Sequence, residues 1–300
     1  MFRVIDAHVH TYPSAAIGRQ ALGAREYGFS GTVPELKEVM KNAKIVHAIM
    51  ANFTPVQEMM AANVKKLPAE LEEKEKRKAI LEIEKKMIER MKRRNEWTCK
   101  MAREESALSA LISIDVLQDP EEMVKEVESK VKELGARGMK MHPMGNSFDP
   151  CDKKLWPVYS KAQELGIPIL FHTGGHSEYE NKYGRPKEFE EVARSFPDLR
   201  VVLGHMGKGA YPESVEMAKK YDNFFFDTST CFYEAGISGA EVARNVFEII
   251  REIGTDRILF GTDWPWYDPL IDINHIDKME LADEEKAGIL GLNARRVYNL

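Results

Sequence analysis

The chain has 300 residues, 43% hydrophobic and 30% charged, with a formal net charge of −5. That balance belongs to a folded globular protein, not to a disordered or collagenous one, and the length suits one large domain or two ordinary ones. The mildly acidic charge gives no footprint for nucleic acid, and no apolar run approaches the ~20 residues of a membrane span. The opening MFRVIDAHVH lacks a signal-peptide layout. Cys99, Cys151 and Cys231 are odd in number and far apart, with no CxxC, which argues against a disulfide framework or a cysteine-built zinc site. The expectation is a soluble, cytoplasmic protein with no nucleic-acid or membrane partner.

In chain order, RVIDAHVH (3–10) and KIVHAIM (44–50) read as the first two strands. ALSALISI (107–114) is a third. Asp119 before Pro120, with Glu121 and Glu122 following, starts a helix with apolar positions at Met123, Val127, Val131 and Leu134, and Gly135 stops it. The pattern repeats: strand 136–141, helix 155–165, strand 167–172, helix 188–195, strand 199–205, helix 212–220, strand 223–228, helix 239–253, strand 257–262, then helices from Asp283 to Leu300. Continuously apolar strands separated by helices are the mark of a buried parallel sheet. Eight such units in ~250 residues or more predict a single (β/α)₈ TIM barrel over 1–300. A doubly wound open sheet is the alternative, but no glycine fingerprint follows the first strand.

One stretch does not fit that alternation. From Glu70 to Arg94, 17 of 25 residues are charged, with Ile80, Ile83, Met87 and Met91 forming a narrow apolar stripe. Pairs such as Glu82 with Lys86 add a few tenths of a kcal/mol each to a helix. This predicts a charged helical insertion after strand two, within 56–105: a solvated helix over the barrel, a dimer arm or an active-site lid.

The C-terminal ends of barrel strands converge on one face, where active sites are built. Strand one ends in Asp6-Ala7-His8-Val9-His10. Residues two apart in a strand share a face, so His8 and His10 can grip one metal. His172 ends strand five, His205 strand six and Asp263 strand eight. A lone histidine at a strand end is ordinarily a packed core residue, and His47 within strand two reads that way. Four histidines and an aspartate at the ends of four strands form a pattern that chance rarely supplies.

These residues resemble the amidohydrolase superfamily, and within it the metal-dependent TIM-barrel hydrolases and non-oxidative decarboxylases called amidohydrolase family 2. The matching pieces run in family order: IDAHVH (5–10), GMKMHP (138–143), GIPILFHTG (166–174), VVLGHMG (201–207), FFDTST (225–230), RILFGTDWPW (257–266) and GLNARRVYNL (291–300). The resemblance implies one zinc, or another divalent metal such as manganese, per chain, held by His8, His10, His172 and Asp263. Imidazole and carboxylate donors suit such an ion, which lowers the pKa of bound water towards 7. Asp263 and His205 are the implied catalytic acid/base groups. Lys140 and His142 end strand four on one face. They are expected to meet an anionic substrate group, while in other branches of the superfamily a lysine there is carboxylated and bridges two metals; simple ion pairing of Lys140 is the bland reading.

His176, Trp264, Trp266, Phe232 and Tyr233 are further candidates for substrate contact or loop packing, and Arg185 for a carboxylate contact or the surface. Three functions stay open. The leading one is a hydrolase in which metal-activated water attacks a C–N or C–O bond of a small substrate. The second is a non-oxidative decarboxylase, a carbon–carbon lyase acting on a small carboxylic acid and distinguished by cations that hold the substrate. The third is a non-catalytic metal-binding scaffold. Homo-oligomers are common among barrel enzymes, and only that general prior bears on assembly.

Overall fold

The computed structural model describes residues 3–23, 28–174, 183–233 and 238–300. Its strands are short apolar runs: β1 (Val4–Val9), β2 (Ile45–Met50), β3 (Leu108–Ile112), β4 (Gly138–Met141), β5 (Ile169–Phe171), β6 (Val201–Leu203), β7 (Phe224–Asp227) and β8 (Ile258–Leu259). They pair in sequence order, every pair parallel. The ring is closed by the chain after β8. The Ala7 N–H donates to the Phe260 carbonyl at 2.8 Å, the Asp263 N–H to the His8 carbonyl at 2.9 Å and the His10 N–H to the Trp264 carbonyl at 2.6 Å. This is the predicted TIM barrel.

Helices fill the connections: α1 (Ala15–Leu22) and α2 (Val33–Ala43) after β1; α3 (Val56–Val64) and α4 (Glu73–Glu104) after β2; α5 (Pro120–Lys132), α6 (Trp156–Glu164), α7 (Glu190–Ser195), α8 (Tyr211–Lys220) and α9 (Gly239–Ile253) between later strands; α10 (Pro269–Asp277), α11 (Asp283–Ala287) and α12 (Asn293–Tyr298) after β8. The local signals act as their chemistry dictates. Asp119 accepts from the Glu121 N–H at 2.9 Å to start α5, and Gly135, at φ +73°, lies beyond its end. At the start of α2, Glu35 accepts from the Thr32 N–H at 3.0 Å.

Alternation along the strands sorts the core into two groups. Ile169, Phe171, Val201, Leu203, Phe224, Phe226 and Ile258 face the helices. Leu111, Leu170, Val202, Phe225 and Leu259 pack together inside the ring, joined by Ala294, Val297 and Tyr298 of α12. Near α12, Asn299 donates to the Gly166 carbonyl at 3.0 Å and Arg200 to the Arg296 carbonyl at 3.0 Å. Both contacts lie just before β5 and β6. The last helix therefore stoppers the end of the barrel where strands begin, leaving the opposite end for chemistry.

The charged segment has two characters. Through its first turns α4 is largely exposed and pairs with α3. From Met91 onward its spacing turns inward: Met91, Asn95, Thr98 and Cys99 are buried, and this half packs beside β3 as a barrel helix.

Candidate metal centre

The strand ends deliver their side chains to one mouth. His8 and His10 project from β1, Lys140 from β4, His172 from the end of β5, His205 from the turn after β6, Asp227 from β7 and Asp263 from the loop after β8. His205 and Asp263 have left-handed backbones, φ 59° and 61°. A non-glycine residue held there costs of order 1–3 kcal/mol, and such positions cluster at functional sites. Close approach is needed too: a Cβ on Gly261 would sit 3.0 Å from that of His8.

His8, His10 and Asp263 bring one ligand atom each to within 4.8 Å of one another. His10 Nε2 is 3.1 Å and His8 Nε2 3.6 Å from Asp263 Oδ1. His8, His205 and Asp227 form a second such group, but here hydrogen bonds account for the closeness. Asp227 Oδ2 accepts from His8 Nδ1 at 2.9 Å, and Asp227 Oδ1 accepts the backbone N–H of His205 at 3.0 Å, the backbone N–H of Ser229 at 3.0 Å and the Ser229 hydroxyl. Ser229, its proton spent on Asp227, accepts from His205 Nδ1 at 2.8 Å. That leaves His205 Nε2 to accept from His172 Nδ1 at 3.0 Å. The chain of donors thus fixes protons on Nδ1 of His8, His205 and His172. For His8 and His172 it leaves Nε2 as the donor atom a metal requires.

Electrostatics prepare the same donors. Burial, opposed by the hydrogen bond and charge of Asp263, pushes His10 down to about 4. Burial pushes His205 down to about 3 and holds His142 and His172 well below the usual imidazole value. Burial alone would raise Asp263 and Asp227. The contacts of Asp263 with His10, His8 and His205, and of Asp227 with His8, His205 and Ser229, outweigh it and hold both carboxyls below their usual range. Neutral imidazoles beside ionised carboxylates are what a divalent ion needs, since metal ligands bind deprotonated.

Lys140 lies inside this set, 1% exposed, with Nζ 3.0 Å from His8 Nε2. Its ammonium takes up the lone pair that a metal would use. Burial pushes it down to about 8 against the raising effect of Asp227 and Asp263, so it is predominantly cationic at neutral pH.

The remaining candidates fall into place around this centre. His142 stacks on His172 with ring centroids 3.8 Å apart and lies tilted against Phe53 at 4.6 Å. Its Nδ1 accepts from the Gly145 N–H at 2.9 Å, so the neutral ring carries its proton on Nε2. His172 reaches the centre through His205 and does not fall within the His8–His10–Asp263 group. Trp264 is fully buried beside Phe29, with ring centroids 5.7 Å apart, whereas Trp266 lies edge-on to His10 at 5.3 Å. Trp264 therefore packs the loop that carries Asp263, and Trp266 is the aromatic beside a ligand. Phe232 is buried and stacks on His275. Arg185 pairs with Glu213. His176 lies outside the described residues. Asp227 and Ser229 were not singled out from sequence, although the signal was there: Asp227 is an acid ending the apolar run FFF, as Asp263 follows RILFGT.

The amidohydrolase family model matches residues 5–300, and the chain belongs to that family. It is 23% identical over 235 residues to gamma-resorcylate decarboxylase of Polaromonas sp. (strain JS666 / ATCC BAA-500), covering 61% of this chain and 68% of that protein. A 2,6-dihydroxybenzoate decarboxylase, solved in complex with 2,6-dihydroxybenzoate, superposes at a TM-score of 0.72 with 18% identity over all of both chains. The dihydroxybenzoic acid decarboxylase of Polaromonas sp. JS666, solved with bound manganese and the inhibitor 2-nitroresorcinol, superposes at 0.71 with 18% identity over 100% of this chain and 98% of that one.

Proposed function

We propose that this chain is a metal-dependent decarboxylase, releasing carbon dioxide from a small hydroxylated carboxylic acid such as a hydroxybenzoate. The similarity to decarboxylases favours this over the hydrolase expected first from sequence. The observation that carries it is Lys140. A decarboxylase substrate is an anion, and a buried ammonium 3.0 Å from His8 Nε2 offers a cation at the centre, whereas Arg185 is committed to Glu213.

His8, His10 and Asp263 are the residues that would hold a divalent ion, manganese or zinc, with His172, its Nε2 left free of a proton, as the further ligand the resemblance implies. The bound ion would supply the electrophile that fixes the substrate carboxylate and an adjoining oxygen. Lys140, whose ammonium lies 3.0 Å from His8 Nε2, would neutralise the same carboxylate. The bond between ring and carboxylate breaks, its electron pair stays on the ring carbon, carbon dioxide leaves and the carbon takes a proton. His205 is the assigned proton carrier. Its Nε2, which accepts from His172 Nδ1 at 3.0 Å, would exchange that partner for an acidic substrate hydroxyl, take its proton and return it to the carbon. Trp266, edge-on to His10 at 5.3 Å, would flank an aromatic substrate ring beside the centre, while His142 already stacks on His172.

The test is carbon dioxide release from 2,6-dihydroxybenzoate and related hydroxybenzoates by protein loaded with manganese or zinc, beside a panel of amides and lactones. Metal-dependent decarboxylation, lost in His205→Asn with metal content retained, is the expected result. Turnover of an amide or lactone with no carbon dioxide from any acid would return the site to the hydrolase reading.

A further inference from the structure

The charged helix α4 reaches the metal centre from outside the barrel, through a cluster of polar side chains that the chemistry above does not use. Asn52, two residues past β2 and 2% exposed, is its hub. Asn52 Oδ1 accepts the Thr11 N–H at 2.8 Å, and its amide donates to the Thr11 hydroxyl at 3.1 Å and to the Thr98 hydroxyl of α4 at 2.9 Å. One turn earlier on α4, Arg94 donates to the Thr11 carbonyl. Its guanidinium is held between the Tyr12 ring, 5.1 Å away, and the Trp97 ring, 4.7 Å away. Both polar groups of the Thr11 backbone are therefore bound by residues of the β2–β3 connection.

Thr11 directly follows His10, whose own N–H is bonded to the Trp264 carbonyl at 2.6 Å. Its amide is one half of the peptide that links the two residues. We infer that Asn52 and Arg94 are positioning residues that clamp the tip of β1, so that the long charged helix sets where His10 presents its imidazole to the metal. This rests on the metal-centre reading proposed above. The same helix face has a second anchor that makes no hydrogen bond to Thr11: Asn95 Oδ1 accepts the Ser113 N–H at 2.9 Å, and its amide donates to the Ser113 carbonyl at 2.8 Å and to Glu126 at 3.0 Å. It meets the clamp only through the Ser113 hydroxyl, which donates to the Asn52 backbone carbonyl at 2.9 Å and not to the Asn52 side chain. Cutting that anchor loosens α4 on β3 while leaving the Thr11 clamp in place, which separates positioning from plain stability.

The experiment titrates cobalt(II) into the full chain, reading affinity and the visible ligand-field spectrum, with thermal melting of each variant alongside. Asn52→Ala and Arg94→Met are expected to weaken cobalt binding about tenfold and to alter the spectrum, because His10 is left free to reorient. Asn95→Ala is expected to lower the melting temperature but to keep affinity within twofold and the spectrum unchanged. Arg94→Lys, which restores a donor to the Thr11 carbonyl, should recover part of the loss. Should Asn52→Ala fail to fold, Arg94→Met, nearer the surface, decides alone. Wild-type affinity and spectrum in the clamp variants, or equal damage in Asn95→Ala, would overturn the inference. Failure of the unmodified chain to bind cobalt would instead overturn the metal-centre reading on which it rests.

Discussion

Replacing Asp227 by Asn changes one atom of the site and removes one charge, and the structure says which way the new amide must turn. Oδ1 of Asp227 accepts two fixed backbone donors, the N–H groups of His205 and Ser229, both at 3.0 Å. An asparagine keeps its oxygen there, so its NH₂ faces His8 Nδ1, the group that now donates to Oδ2 at 2.9 Å. Two donors cannot share that contact, and His8 has to move its proton to Nε2. Nε2 is the atom aimed at Asp263 and the metal position, so the ligand is lost from the resting tautomer. Breaking a support of this kind costs about 10- to 100-fold in metal affinity, or about 1.4 to 2.7 kcal/mol. Manganese or zinc affinity, measured by competition with a chromogenic chelator, should fall by that factor in Asp227→Asn while the far-ultraviolet circular dichroism is unchanged. Affinity within twofold of wild type would refute the tautomer argument.

Lys140→Met removes the ammonium beside His8 Nε2 while keeping side-chain bulk. Metal affinity in the same assay should rise about tenfold, a gain of ~1.4 kcal/mol, and the KM for a carboxylate substrate should rise at least as much; weaker metal binding would contradict the placement of that cation. Arg185→Ala should leave kcat/KM within twofold in a carbon dioxide release assay, because its partner is Glu213. Asp115 lies outside the centre, fully buried with Oδ2 unpartnered, and burial pushes its carboxyl up from 3.8 to about 6. The native state thus binds more protons than the unfolded state between those values, and stability falls as pH rises through them, by about 3 kcal/mol in all. Asp115→Asn should be more stable than wild type at pH 7 in urea unfolding, with the advantage vanishing near pH 4; an unchanged difference across that range would contradict the burial argument.

The strands were legible because each is built mainly of apolar residues between turn or capping signals, with polar interruptions such as Asp6, His8, His47 and Lys140, and alternation along those runs divides ring interior from helix contact. The connection after β1 was less so. α1 spans only eight residues, Ala15–Leu22, too short for apolar spacing to stand out, although Thr32 and Glu35 hold a capping pair that marks α2. Asp268-Pro269 starts α10 with the same signal as Asp119-Pro120, with Asp268 accepting from the Leu270 N–H at 3.0 Å. His8, His10 and Asp263 could be found because strand ends converge and imidazoles are few. Asp227 was passed over within FFFDTST because its role depends on partners more than 200 residues away in the case of His8. The same holds for Trp264 and Trp266: two positions apart in sequence, they place one ring in the core and the other against His10, which only the bend of the loop decides. In the charged stretch, composition marks the exposed half of α4, but Asn95 and Thr98 are polar residues buried by hydrogen bonding, a circumstance that hydropathy cannot register.

The most direct measurement is metal content per chain, by elemental mass spectrometry, of protein reconstituted with manganese or zinc and freed of excess ion. A centre built on His8, His10 and Asp263 predicts about one ion per chain, retained in His205→Asn and lost in the doubly substituted His8→Ala/His10→Ala protein. No bound ion after reconstitution, or equal occupancy in the double variant, would contradict it.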